Sequence, residues 1–212
     1  EQWMSGLDRL GREMHFKIIP MLRQGCPIEL GEDLTVTPEC HEWGEMVTER
    51  ILDADPALVI SNTTRPSGPL GEGPDYVPAG YAEFWKQLAD AKIPFMGLRD
   101  NPWGFDDAGK GREFDKCYVA TEDEKGCGMT FDKVYAPVDP GAEILSQYDN
   151  MLSLDTSSWF CDKNGDCPVV IGNTMVYRDM HHFTKAFADS MIPLIRCLLY
   201  TSDAADEEDS VD

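Results

Sequence analysis

A three-layer α/β/α fold with a mainly parallel sheet is predicted by two features of the sequence. Apolar runs of strand length alternate with amphipathic helical stretches, and a β-α-β-α order calls for parallel strands covered by helices on both faces. The 212 residues suffice for one substantial core, and no internal repeat suggests a solenoid. In open sheets of this kind, function gathers in the loops beyond the carboxyl ends of the strands.

The elements follow in order. Trp3, Leu7, Leu10 and Met14 recur at helical spacing from the outset, so the chain is expected to begin inside a helix. "FKIIPML" (16–22) reads as a strand. "HEWGEMVTERIL" places Trp43, Met46, Val47 and Ile51 on one helical face, and "PALVIS" (56–61) reads as a buried strand. Tyr81, Phe84, Trp85 and Leu88 form the next helical stripe, ahead of the strand "IPFMGL" (93–98). Trp43 and Trp85 fit these apolar stripes, which makes them core residues and not a sugar platform. A loop rich in Gly, Asp and Lys is expected from Asn101 to about Thr130. A weaker helix (139–149), the strand "MLSLD" (151–155) and the hairpin-like "PVVIGNTMVY" come next. A last helix follows, capped by Thr184, with Phe183, Phe187, Met191 and Leu194 as its stripe.

After Arg196 the periodicity fails, and "CLLYTSDAADEEDSVD" carries six acids and no base. This segment resembles translated adapter read-through; the alternative is an acidic disordered tail. The domain is therefore assigned to 1–196, and 197–212 is set apart as a non-native or disordered acidic tail.

A formal net charge of -21 disfavours nucleic acid as a partner, because phosphate binding needs clustered Lys and Arg. No apolar run approaches the roughly 18 residues of a membrane span, and no secretory signal opens the sequence. Six of the seven cysteines fall as local pairs, each bracketing a loop with Gly, Pro or Asp: Cys26 with Cys40, Cys117 with Cys127, and Cys161 with Cys167. None has the C-x-x-C spacing expected of zinc. Three disulfides and an oxidising compartment are the expectation, with Cys197 left over; the alternative is buried reduced thiols.

The chemistry centres on "YRDMHHFTKAF" (177–187). Asp179 and His182, three residues apart in the turn before the last helix, can place a carboxylate on one imidazole nitrogen and leave the other free as a base. A serine hydroxyl needs such a pair, because the carboxylate fixes the tautomer and stabilises the imidazolium. The alternatives are a structural histidine and a metal site of Asp179, His181 and His182. No further ligand cluster is evident, so no metal is expected.

Taken together, "QWMSGLDRLGRE", "GCP", "CHEW", "DPALVI", "GLRDNP", "CPVVIGN" and "VYRDMHHFT" resemble the SGNH-hydrolase domain fused to the C-terminus of acyltransferase-3 membrane proteins. The resemblance runs from Glu1 to about Arg196 and implies the flavodoxin-like SGNH type of fold. It maps the family's D-x-x-H block onto Asp179, His182, Phe183 and Thr184, and leaves His181 on a variable position. The family's nucleophile lies in a G-D-S-H motif immediately before "QW". The resemblance therefore implies that the serine and the first strand precede Glu1, and Ser5, on the first helix, is not a substitute. For the oxyanion it suggests Gly25 and Asn62, although "VISNTTRP" departs from the usual G-x-N-D. Arg99, Asp100 and Asn101 are expected to hold a strand-end loop facing the cleft.

The resemblance implies an extracytoplasmic O-acyltransferase domain that acylates, and specifically acetylates, a cell-surface glycan through a Ser-His-Asp triad. The fused upstream transmembrane domain supplies the acyl group, so no cofactor is implied, and the location is the periplasmic or extracytoplasmic face of a bacterial membrane. A carbohydrate esterase with the same triad is the near alternative. A glycan-binding module that kept the fold without catalysis is the alternative of a different class.

Overall fold

The computed structural model describes residues 2–68 and 71–208, with side chains described to Arg196, Cys197 and Leu199 at the carboxyl end. Its helices are α1 (Met4–Met14), α2 (Pro38–Ala54), α3 (Ala79–Asp90), α4 (Phe114–Thr121), α5 (Phe131–Val134), α6 (Pro140–Leu145), α7 (Ser157–Phe160) and α8 (Lys185–Glu208). The strands are β1 (Val59–Asn62), β2 (Arg65–Pro66), β3 (Asp75–Tyr76), β4 (Phe95–Leu98), β5 (Met129–Thr130), β6 (Met151–Leu154), β7 (Asp166–Cys167), β8 (Val170–Ile171) and β9 (Thr174–Met175).

A parallel sheet of order β1-β4-β6 forms the centre, in register Val59 with Phe95 and Phe95 with Met151. β4 is buried along its whole length, as a strand paired on both sides should be. Successive side chains point to opposite faces. Val59, Phe95 and Met151 accordingly pack with Val47 and Ile51 of α2 and with Phe84, Trp85 and Leu88 of α3. Ile60 packs instead with Leu7 and Leu10 of α1 and Ile192 and Ile195 of α8. The α1–α8 contact is close: a Cβ added at Gly6 would overlap Ile192. Helices thus cover both faces, on the pattern expected from the alternation. The remaining ladders, β2-β3, β5-β7 and β8-β9, are short antiparallel pairs.

Local chemistry explains the boundaries. Thr37 caps α2 by accepting from the Cys40 N–H at 3.4 Å, and Pro38 supplies a pre-set first turn. Asp139 caps α6 through Gly141 N–H, again with a proline at the start. Gly172 and Asn173, both at positive φ (57° and 60°), make the two-residue turn of the β8–β9 hairpin. Thr184 caps α8 by accepting from Phe187 N–H, while its own hydroxyl donates to the Met175 carbonyl.

Several expectations are corrected. Residues 16–22 form no strand or ladder, and Phe16, Ile19 and Leu22 are exposed. A strand needs a neighbour, and among the described residues β1 is bonded to β4 alone. Met46 lies on the exposed side of α2, whose buried face is Cys40, Gly44, Val47, Thr48 and Ile51. Leu194 is exposed, and Ile192 and Ile195 take the core positions in α8. The expected loop after Asn101 contains α4, which buries only Phe114 and so shows no apolar stripe to read. The last helix runs on to Glu208 with Pro193 inside it. The tail's final four residues, 209–212, lie outside the described residues.

All three expected disulfides form: Cys26–Cys40, Cys117–Cys127 and Cys161–Cys167, with Cα separations of 5.1, 5.6 and 3.9 Å. Cys197 is free and exposed. No described helix is long and apolar enough to cross a membrane.

Candidate active site

The turn that carries Asp179 and His182 is closed by its own backbone. Arg178 N–H donates to the His182 carbonyl at 2.8 Å, Tyr177 and Phe183 form an antiparallel bridge, and Thr184 N–H reaches the Val176 carbonyl. Inside this loop Asp179 Oδ1 accepts from the backbone N–H groups of His181 (2.9 Å) and His182 (2.7 Å), while Oδ2 meets His182 Nδ1 at 2.8 Å. Partial burial alone would raise the Asp179 pKa. The two N–H donors and the His182 ring outweigh that and hold it below the usual carboxylate value. An ionised Asp179 requires Nδ1 of His182 to carry the proton, which leaves Nε2 as the lone-pair nitrogen. Spacing alone suggested this pair; the two main-chain bonds to the same carboxylate are what fix it.

His181 points elsewhere. Its ring stacks on Trp103, with centroids 4.2 Å apart and planes at 17°, and lies 3.9 Å from the His182 ring. Burial, followed by the neighbouring His182, pushes its pKa down to about 4, so it is neutral at physiological pH. Asp179, His181 and His182 bring ligand atoms within 4.8 Å of one another. The carboxylate already accepts three hydrogen bonds, however, and a metal would compete with His182 Nδ1–H for it. This donor set suits a base better than an ion.

The carboxyl ends of β1 and β4 supply the facing wall. Asn62, last in β1, donates from Nδ2 to Asp100 Oδ1 at 2.6 Å. Asp100 is buried, which raises its pKa to about 6 despite the favourable Arg65 charge. Asn101 Nδ2 donates to the His181 carbonyl at 2.7 Å. Gln2 bridges the two sides: it accepts from Phe183 N–H at 2.6 Å and donates to Asn101 Oδ1 at 3.2 Å. A cavity of about 50 Å³ opens among Gln2, Trp3, Asn62, Asp100, Asn101 and Phe160.

Arg99 also borders the cavity, but its guanidinium is committed. It donates to both Asp75 oxygens (2.8 and 2.9 Å), to the Ala136 carbonyl and to Asp155, and lies 4.5 Å from the Tyr135 ring centre. It ties β3 to the ends of β4 and β6. Gly25 lies in the Arg23–Cys26 turn at a φ of 72°, beside the Cys26–Cys40 bond. None of its described contacts reaches Asn62, Asp179 or His182.

Sequence reasoning passed over Gln2, Asp75 and Trp103. Trp103 had a signal, since it closely follows the strand-end "RDN"; Gln2 and Asp75 are found only through contacts across 99 and 24 residues.

The family described as the SGNH domain (fused to AT3 domains) matches residues 1–196. No curated protein sequence matches the chain. The periplasmic domain of the lipopolysaccharide acetyltransferase of Salmonella ser. Paratyphi A shares the fold, with a TM-score of 0.52, over 88% of this chain and 74% of that one at 13% identity. A D-x-x-H turn facing the carboxyl ends of a parallel sheet, within a match spanning nearly the whole sequence, places this chain in the family of SGNH domains fused to AT3 domains.

Proposed function

We propose that this domain transfers an acyl group, specifically acetyl, to a hydroxyl of a cell-surface glycan on the extracytoplasmic face of the membrane. The observation that carries the reading is the Asp179–His182 pair, with Nδ1 held at 2.8 Å and Nε2 left to act on a hydroxyl. The nucleophile is a serine preceding Glu1, on the turn after a strand that pairs with the outer edge of β1. That edge has no partner among the described residues, and Ile19 and Leu22 stand exposed in segment 16–22. The three disulfides support an oxidising compartment.

The chemistry follows from the residues present. His182 Nε2 takes the serine proton as Oγ attacks the acyl carbonyl, and Asp179 stabilises the resulting imidazolium. The second N–H of the Asn62 amide, not needed by Asp100, binds the oxyanion. Collapse expels the donor's leaving group, which takes the proton from His182 and leaves an acyl-serine. The glycan hydroxyl then gives its proton to His182 and attacks the acyl-serine; collapse expels Oγ, which takes that proton back from His182, releasing the glycan ester and free serine. An AT3 membrane domain fused upstream delivers the acyl group. If water replaces the glycan, the same steps give an esterase, because the acceptor is chosen by access and position.

The test is to extend the chain upstream through its natural coding sequence, and to assay acetyl transfer to polysaccharide beside hydrolysis of p-nitrophenyl acetate. Transfer that disappears with His182→Ala and with the upstream Ser→Ala supports the reading. Hydrolysis without transfer makes it an esterase. Glycan binding without either reaction makes it a binding module.

A further inference from the structure

We propose that Trp103 is a positioning residue for the acyl-transfer site, fixing the oxyanion residue Asn62 and the base His182 relative to each other. The inference rests on the acyl-transfer reading above. On one side the link is polar. Asp100 is anchored through its backbone, its N–H donating to Thr64 Oγ1 and its carbonyl accepting from Tyr135 OH, both at 3.0 Å. Its two carboxylate oxygens are then divided: Oδ1 takes the Asn62 amide at 2.6 Å and Oδ2 takes Trp103 Nε1–H at 3.2 Å. One fixed carboxylate therefore orients both side chains.

On the other side the link is apolar. The Trp103 indole stacks on His181 at 4.2 Å, and the His181 ring lies 3.9 Å from that of His182. Among the described residues His181 Nδ1 is buried without a hydrogen-bond partner, so no bond at that nitrogen orients the ring and the stack does. Among the described residues the His182 ring, in turn, is bonded to Asp179 along one edge only, which leaves it free to swing about that bond unless a neighbour stops it. A neutral His181 provides this stop without placing a positive charge against the forming imidazolium. Trp103 is itself clamped. Gly71, at a φ of 91°, packs so closely that a Cβ there would come within 2.7 Å of the indole, and the Arg65 guanidinium lies 5.7 Å from the ring centre.

The test is direct on the chain as it stands, by NMR of the His182 imidazole, reading its tautomer and the exchange of the Nδ1 proton held by Asp179. Trp103→Leu and His181→Ala remove the stack; exchange should rise about tenfold or more, by the logic of local opening, and the tautomers should mix. Trp103→Phe and His181→Phe keep a stacking face and should stay within about threefold of the parent. Should Trp103→Leu fail to fold, the partly exposed His181 carries the same comparison. Truncations that leave exchange unchanged, or Phe variants that lose as much as the truncations, overturn the proposal. In the extended chain the truncations should lower kcat by about 10²-fold with little change in KM, as a misplaced base does. An extended chain inactive even as the parent, alongside a positive NMR result, would count against the acyl-transfer reading and leave the stack standing.

Discussion

The Asp179–His182 turn and the outer edge of β1 are built in contrasting ways. The turn closes on its own backbone, bonds its carboxylate three times within four residues, and seats Phe183 in the core beside Trp3. The outer edge of β1 has no ladder partner among the described residues, and in segment 16–22 Ile19 is 53% and Leu22 54% exposed. Structure made by local bonds stands on a few consecutive residues, whereas a strand edge is only as complete as its neighbour.

The largest effect should come from the turn. In the extended chain Asp179→Asn should lower turnover by roughly 10³ to 10⁴-fold, since the amide permits the wrong tautomer and cannot offset the imidazolium. A loss below tenfold would break the contrast by making the turn dispensable.

Next is the buried cation behind the site. Arg99→Met leaves Asp75 buried beside an apolar chain, and breaking such a pair costs about 3 to 5 kcal/mol. Denaturant unfolding reads this, and a change under 1 kcal/mol would show that water replaces the guanidinium.

Removing the disulfides singly, by paired Cys→Ala, should cost about 2 kcal/mol for the Cys161–Cys167 loop and about 3 for Cys26–Cys40, in the order of loop length. An inverted order in thermal unfolding would point to native contacts instead of chain entropy.

A subtler effect is hidden by compensation. His181 has its folded pKa lowered from 6.5 to about 4, so its contribution to stability is present above pH 6.5 and lost as pH falls toward 4. Asp100 has its pKa raised from 3.8 to about 6, so its contribution is present below 3.8 and lost as pH rises through 6. Between pH 4 and 6 the two slopes oppose each other. Asp100→Asn should therefore make the thermal midpoint fall more steeply on acidification than in the parent, and His181→Phe should flatten or reverse that fall. Equal pH curves for all three proteins would refute the pairing.

The smallest effect belongs to the exposed segment 16–22. Ile19→Ser or Leu22→Ser should change stability by less than about 0.5 kcal/mol in this chain, as exposed substitutions do. In the extended chain the same changes should cost about 2 kcal/mol, if a strand there buries these side chains. Equal costs in both chains would remove the argument for an upstream strand covering this segment.

The parts legible in the sequence are those whose cause is local or periodic. The stripes of α2 and α3, the three central strands, the Gly172–Asn173 turn and the cysteine pairs each announce themselves within about 15 residues. The 16–22 strand was misread because an apolar run states what it could pair with, not whether a neighbour is there. Met46 and Leu194 were misplaced because a helical stripe fixes a face to within one residue, and tertiary contact decides its rim. The polar frame of the site was illegible for a different reason. Gln2 to Asn101, Asn62 to Asp100 and Arg99 to Asp75 are single contacts across long separations, and no spacing rule encodes them.

One further consequence follows from how the cysteines are laid out. The bonded partners are 14, 10 and 6 residues apart, and no bond spans the interval of another. During synthesis each cysteine that opens a pair meets its own partner before the next pair has emerged. Sequential oxidation therefore favours the native pairing at every step, and an isomerase has little to correct.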